Sequence, residues 1–375
     1  MSVLNKVRLL ISFLFLFVTT SCAKDEEMEK VEPIIPIDEI TDETNEDTII
    51  CSFEKYMSLQ PVGKYSAQGS ACYGDYFIQG YNYNGYMTIY DLKEKKCLGS
   101  IDVPAPMPTS KTHSNTLNFG SQHYHSDDYF PLLYVSSGYA TGGVSHIYVY
   151  RLSKETIEEK DEFTLTLVQT ISLFGFGSWT EGIIDQSSET LWIKHQPRDH
   201  YGYSCYQLPS VYDGDVSIYL NDYKRNFILD RSPLGSRNQG HIYNDGKILL
   251  VTGVPSSSED VAFISIDTKK EERDLIIDLA EIGLVSPNNP KDNTFEPEGL
   301  IFYDGQLMIC YRKAIYSFFI FPQSEISNEV KNSIMNLNTY NVNKSKYNLQ
   351  GIRKTGIYGI NVIQSGNKVY KVLSK

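Results

Sequence analysis

The sequence lacks the marks of a nucleic-acid binder, a membrane-spanning helix and a zinc-built fold. Basic charge is short: 34 Lys and Arg stand against 46 Asp and Glu, a formal net charge of -12. That excludes a reader of the phosphate backbone, which needs a basic face. After residue 21 no apolar run is long enough to cross a bilayer as a helix. The six cysteines contain no CxxC and no Cys/His spacing suited to zinc. A P-loop, a GxSxG elbow, an HExxH pair and a dinucleotide fingerprint are also missing. Long helical periodicity is absent, apart from one candidate surface helix over Ser324 to Met335.

Aromatic residues are plentiful at 13%, with 28 Tyr, and flat rings suit pleated β-surfaces. Residues 1–21 read as a targeting segment: Lys6 and Arg8 precede an apolar run from Leu9 to Val18, too short to span a membrane. The run ends in Thr19-Thr20-Ser21-Cys22, which resembles a bacterial lipobox and makes Cys22 the lipid-bearing mature N-terminus; an ordinary cleaved secretion signal is the alternative. Multiple acyl chains anchor far more firmly than one. Residues 22–50 carry eleven acidic residues against Lys24 and Lys30, with no aromatic and no Gly. Such a segment cannot bury enough apolar area to offset its ordering entropy, so it is expected to be a disordered acidic tether. Its start, Ala23-Lys24-Asp25-Glu26-Glu27, resembles the acidic export signal of some gram-negative lipoproteins. The expected location is the bacterial cell envelope, at the outer membrane and facing outward, with membrane contact only through the lipid on Cys22. Setting Cys22 aside leaves five cysteines: Cys72 and Cys310 read as buried thiols within strands, and one disulfide, Cys51 to Cys97, stays open.

Residues 51–375 repeat one phrase: a polar cap, a Gly, a short apolar strand, a turn and a second apolar strand. Glu296-Pro297-Glu298-Gly299, ending in a hairpin at Asp304-Gly305, is the clearest copy, and Asp-Gly between apolar runs is a strong hairpin signal. Other copies begin at Gln68-Gly69, His113-Ser114-Asn115, Glu181-Gly182 and Gln239-Gly240. Each start leads into three or four short strands. Repeating four-stranded units predict an all-β fold, a single β-propeller domain of five blades, with six as the alternative. In the third unit the fourth strand is placed at Val216 to Leu220. A strand over Ile50 to Tyr56 is expected to close the ring on the last blade, and the hairpin over residues 358–373 either completes that blade or opens a sixth.

In a propeller the strand starts and the turns between second and third strands share one face. That brings Gln68, His113, Asn115, Glu181, Gln239, His241, Glu296 and Glu298 to one concave mouth, with His195, Arg198 and Arg312 from the turns. Such a mouth is the default place for a ligand; the same polar residues could equally serve to bond neighbouring blades. Glu296 and Glu298 share a face if extended, and paired carboxylates suit a divalent cation such as calcium or acid–base work. No cofactor is otherwise indicated. The starts resemble those of five-bladed propeller lipoproteins of bacteria and, distantly, of teichoic-acid-biosynthesis-C-like propellers, in which a His-x-Asn phrase, here His113 and Asn115, opens a blade. The resemblance implies the propeller and a secreted setting, without a specific activity. The preferred reading is a surface-tethered protein that binds a glycan, another small polar ligand or a protein partner at this mouth. The alternative is a secreted hydrolase or lyase acting on an anionic polysaccharide or phosphoester, with catalytic His113 and Glu298 and Arg198 as an anion clamp.

Overall fold

The computed structural model describes residues 49–60, 65–82, 85–104, 114–138, 140–158, 160–196, 200–230, 237–255, 261–279, 296–322, 359–365 and 368–374. The targeting segment, the tether up to residue 48 and the candidate helix over Ser324 to Met335 lie outside them; Ile49 and Ile50, read as the end of the tether, belong to the first strand. Within them the chain is all-β: twenty-three strands and one turn of 3-10 helix at Val211–Asp213.

The strands form five sheets. After β1 (Ile49–Ser58), the first blade is β2 (Ala67–Tyr73), β3 (Tyr76–Tyr81), β4 (Tyr86–Asp91) and β5 (Lys96–Asp102). The second is β6 (Ser114–Phe119), β7 (Leu133–Ser137), β8 (Val144–Ile157) and β9 (Lys160–Phe174). The third is β10 (Glu181–Asp185), β11 (Thr190–His195), β12 (His200–Gln207) and, after β13 (Val216–Tyr219), β14 (Arg225–Asp230). The fourth is β15 (Asn238–Asn244), β16 (Lys247–Thr252), β17 (Ala262–Asp267) and β18 (Glu272–Asp278). The fifth starts with β19 (Pro297–Tyr303), β20 (Gln306–Tyr311) and β21 (Ala314–Pro322).

Five apolar clusters prove the ring. Alternate side chains of a strand point to opposite faces, so each blade can offer one set to the preceding blade and one to the next. Ile78 and Ile89 of the first blade pack with Leu133 and Tyr150 of the second. Ile147 and Ile171 of the second pack with Ile184 and Ile193 of the third. Trp192 and Phe227 meet Ile248 and Ile264 across the next interface, and Val251 and Phe263 meet Ile309 and Phe318 across the fourth. The fifth cluster joins Ile301, Met308 and Ile315 of the last blade to Phe77 and Tyr90 of the first. Each fully buried Leu, Ile or Phe contributes about 1.5–3 kcal/mol, so closure is driven by the same burial as every other interface.

The last sheet is the widest. β1 pairs antiparallel with β21 and parallel with β23 (Lys368–Ser374), which pairs in turn with β22 (Gly359–Ser365). The C-terminal hairpin therefore extends the fifth blade, and no sixth sheet forms among the described residues. Two details differ from the sequence reading. β13 is not the fourth strand of the third blade: it joins the second, parallel to β9, from Val216 opposite Ile171 to Tyr219 opposite Phe174. The reason is that Ile218 buries against Ile171 and Leu173, while Phe227 of β14 packs on Trp192 and Tyr203 and takes the fourth place. Cys51 and Cys97 are free thiols rather than a disulfide, as are the other described cysteines. Cys310 is buried as expected, Cys72 only partly.

Candidate functional site

The repeated phrase has a backbone basis. In four of the five inner strands the ladder to the second strand slips at the polar residue: between Ala67 and Ser70, Ser114 and Thr116, Asn238 and His241, and Pro297 and Gly299. The residues left over are Gln68-Gly69, Asn115, Gln239-Gly240 and Glu298. A bulge bends its strand and re-aims a side chain, so the same device recurs at the same height in four blades. Only β10 runs straight, with Glu181 opposite Lys194. The glycines permit close approach. A Cβ on Gly240 would lie 2.4 Å from Gly299 Cα, and one on Gly299 would lie 2.1 Å from Ser70 Oγ. The inner strands of the fourth, fifth and first blades thus touch almost backbone to backbone.

Charged side chains gather at this level. Glu181 is buried, with Lys194 Nζ 3.7 Å from one oxygen and His241 Nδ1 2.6 Å from the other. Lys194, itself only 1% exposed, also donates to the Trp179 carbonyl at 3.3 Å and lies 5.3 Å over the Tyr201 ring. His241 thereby links the fourth blade to the third. A second group links the fourth to the fifth: Gln239 Nε2 donates to Glu296 Oε1 at 3.0 Å, and Arg312 contacts Glu296 Oε2 and donates through Nε to Glu298 Oε1 at 2.7 Å. Burial and the neighbouring Glu296 carboxylate push the Glu298 carboxyl well above the ordinary range, against the pull of the Arg312 guanidinium.

The remaining predicted residues are placed as follows. His195 is buried near this end, its Nε2 3.2 Å from Ser204 Oγ and its ring edge-on to Phe176. Burial and the adjacent Lys194 charge lower its pKa to about 4. Gln68 turns its amide to the Ala67 carbonyl at 2.8 Å, and its own carbonyl accepts from Gln79 Nε2 at 2.5 Å. Asn115 lies in β6 by its backbone. His113, Arg198 and Cys22 lie outside the described residues, so the expected catalytic pair and anion clamp are represented here by Glu298 alone. Lys194 and Arg312 are both held by carboxylates of their own blades rather than facing each other as a free cationic pair. Among the described residues no group of three or more His, Cys, Asp and Glu side chains could hold a metal ion.

Glu298 Oε2 and His241 Nε2 are buried with neither a hydrogen bond nor an ion pair among the described residues, whereas Glu181 Oε2, His241 Nδ1 and Glu296 Oε2 are held by ion pairs alone. Trp179 was not anticipated. Its backbone is left-handed (φ 62°), its carbonyl meets Lys194, and its indole is 37% exposed. A lone Trp ahead of Thr180-Glu181-Gly182 was the available signal.

No protein-family profile matches the chain, and no curated protein matches it. Among solved structures, glutaminyl cyclase from Myxococcus xanthus aligns over 73% of this chain and 98% of its own, at 9% identity and TM-score 0.42. The PQQ-bound aldose sugar dehydrogenase from Streptomyces coelicolor aligns over 72% and 98%, at 10% identity and TM-score 0.41. Apo AztD from Citrobacter koseri aligns over 57% and 46%, at 12% identity and TM-score 0.28. The five-bladed fold rests on the sheet order and the five inter-blade clusters.

Proposed function

We propose that this is a lipid-anchored protein of the bacterial envelope that binds a polar ligand, a glycan in the first instance, at the end of the axis where the inner strands begin. The observation that supports the reading is the charged group drawn from three blades, with Glu298 Oε2 and His241 Nε2 buried and unpartnered among the described residues. Buried charges each cost several kcal/mol and contribute little to stability, and groups with perturbed proton affinity concentrate at functional sites. A carboxyl pushed upward donates or accepts to a hydroxyl equally well, and an exposed indole offers a flat face to the apolar side of a sugar ring.

The test is calorimetric titration of the mature protein with neutral and acidic oligosaccharides, alongside Glu298→Gln and Trp179→Ala. Either substitution should weaken binding at least fivefold while leaving the melting temperature within a few degrees. Saturable binding unaffected by both variants would remove the site. Release of sugar fragments in the same titrations, abolished by Glu298→Gln, would turn the reading to a hydrolase or lyase with Glu298 as its acid. Lipidation is tested separately: Cys22→Ser should end fatty-acid labelling and move the protein from the membrane to the soluble fraction.

A further inference from the structure

The opposite end of the axis holds a cavity of about 410 Å³, independent of the site just proposed. Its wall is made of consecutive residues from all five inner strands and from the turns that follow three of them: 70–74, 117–119, 184–187, 242–245 and 300–302. Neighbouring residues of a strand point to opposite faces, so a wall of consecutive residues is a strand edge. The burial pattern agrees. Leu117, Ile184, Leu300 and Ile301 border the cavity yet are at most 3% exposed, because their side chains sit in the inter-blade clusters. Each inner strand pairs on one side only, β2 with β3, β6 with β7, β10 with β11, β15 with β16 and β19 with β20. An unpaired edge presents a row of N–H and C=O groups. Five such edges around one axis make a neutral wall that alternates donors and acceptors.

The rim sets the charge. Asp185 and Asp245 border the cavity with Gln186, Ser187 and Asn244, and no Lys, Arg or His is among its lining residues. Burial pushes the Asp185 carboxyl up, but the hydroxyl and backbone donors of Ser187 and Ser188 outweigh it and hold the group below the ordinary carboxylate range. Asp185 is therefore an anion at neutral pH. The volume falls in the usual range for small-ligand sites, about 300–1,000 Å³.

We infer that this cavity is a second ligand site, for a polyhydroxylated solute of mono- to disaccharide size bearing no negative charge, with an amino sugar preferred. Hydroxyl groups both donate and accept, as the strand edges do. An ammonium matches the exposed Asp245 carboxylate at the rim and the buried Asp185 charge behind it, and a carboxylate or phosphate on the solute would meet like charge.

The experiment is titration of the mature protein with glucosamine, glucose and glucuronate, read by calorimetry and by saturation-transfer NMR. Glucosamine should bind more tightly than glucose, and glucuronate should not bind. Asp245 sits at φ 45°, a conformation Asn tolerates, so Asp245→Asn removes charge without disturbing the turn. It should weaken glucosamine about two- to fivefold, as expected for an exposed ion pair, and leave glucose unchanged. Asn244→Trp, at an exposed rim position, should block both sugars without lowering the melting temperature. Absence of binding by glucosamine and glucose at millimolar concentration, equal binding of glucuronate, or binding that survives a folded Asn244→Trp would each overturn the assignment. Glycan binding that Glu298→Gln and Trp179→Ala leave unchanged would refute only the other site.

Discussion

Arg312→Met removes one guanidinium from between two carboxylates, those of Glu296 and Glu298, whose side chains are 6% and 1% exposed. Methionine keeps most of the side-chain volume. Breaking a buried pair while leaving its partner charged costs about 3–5 kcal/mol. The carboxylates have an escape, which is to take up a proton. For an ordinary glutamate with a pKa near 4.3, that costs about 3.7 kcal/mol at pH 7 and about 1 kcal/mol at pH 5. Glu298 is already displaced upward by burial and by Glu296, and Glu296 retains Gln239, so the destabilisation at pH 7 should stay within the 3–5 kcal/mol range. A carboxyl whose folded pKa is raised contributes stability that is fully present below its unfolded value and is lost as pH rises through its folded value. The variant should therefore recover relative to the parent as pH falls, to a deficit of about 1–2 kcal/mol at pH 5. Urea unfolding followed by the fluorescence of Trp179 and Trp192 measures both. Arg312→Met/Glu298→Gln should regain part of the loss at pH 7. A deficit below 1 kcal/mol, or one equal at pH 5 and pH 7, would refute the claim that Arg312 neutralises a buried carboxylate pair.

Three further outcomes follow from other parts of the ring. Gly240→Ala forces a Cβ against the Gly299 backbone and Gly182→Ala forces one against the tip of Ile147 at 2.5 Å; a backbone cannot swing aside, so Gly240→Ala should cost about 1–3 kcal/mol and Gly182→Ala less, by chemical denaturation. Cys51 and Cys310 are fully buried and burial pushes both thiols up to about 12; mass spectrometry after brief iodoacetamide treatment should find both unmodified in the native protein and modified in urea. His195, neutral in the fold down to about pH 4, takes up its proton near pH 6.5 when unfolded, so it lowers stability as pH falls through that window, and His195→Gln should flatten the acid side of the stability profile.

The ring was legible because its signals are local. Asp245-Gly246 and Asp304-Gly305 both adopt left-handed backbone, the geometry that two-residue hairpins require, and the polar-Gly phrase marks the bulges. The position of β13 was not legible. Val216 to Leu220 read as the fourth strand of its unit, and only the inter-blade partner of Ile218 assigns the segment to the second blade and leaves the fourth place to Arg225–Asp230. The charged cluster was legible as a list of residues but not as a bonding pattern. Which carboxylates meet Arg312 depends on how far the bulge at Glu298 rotates each side chain, whereas Glu181 meets Lys194 because β10 runs straight and sets the two opposite each other. The axial cavity was invisible in sequence for a simple reason: Leu117, Ile184, Leu300 and Ile301 on its wall read as core residues, and the polar residues of its rim read as ordinary turns.

The first described strand, β1, lies between β21 and β23 in the last sheet. Residues 49–58 therefore wait for partners made more than two hundred and fifty positions later. Four blades can assemble as they are synthesised, but the circle stays unlatched until the C-terminal hairpin arrives, and pairing across so long a loop is slow. A polypeptide truncated before Ala314 should consequently present one raw sheet edge and one bare inter-blade face, a species prone to self-association rather than a smaller working protein.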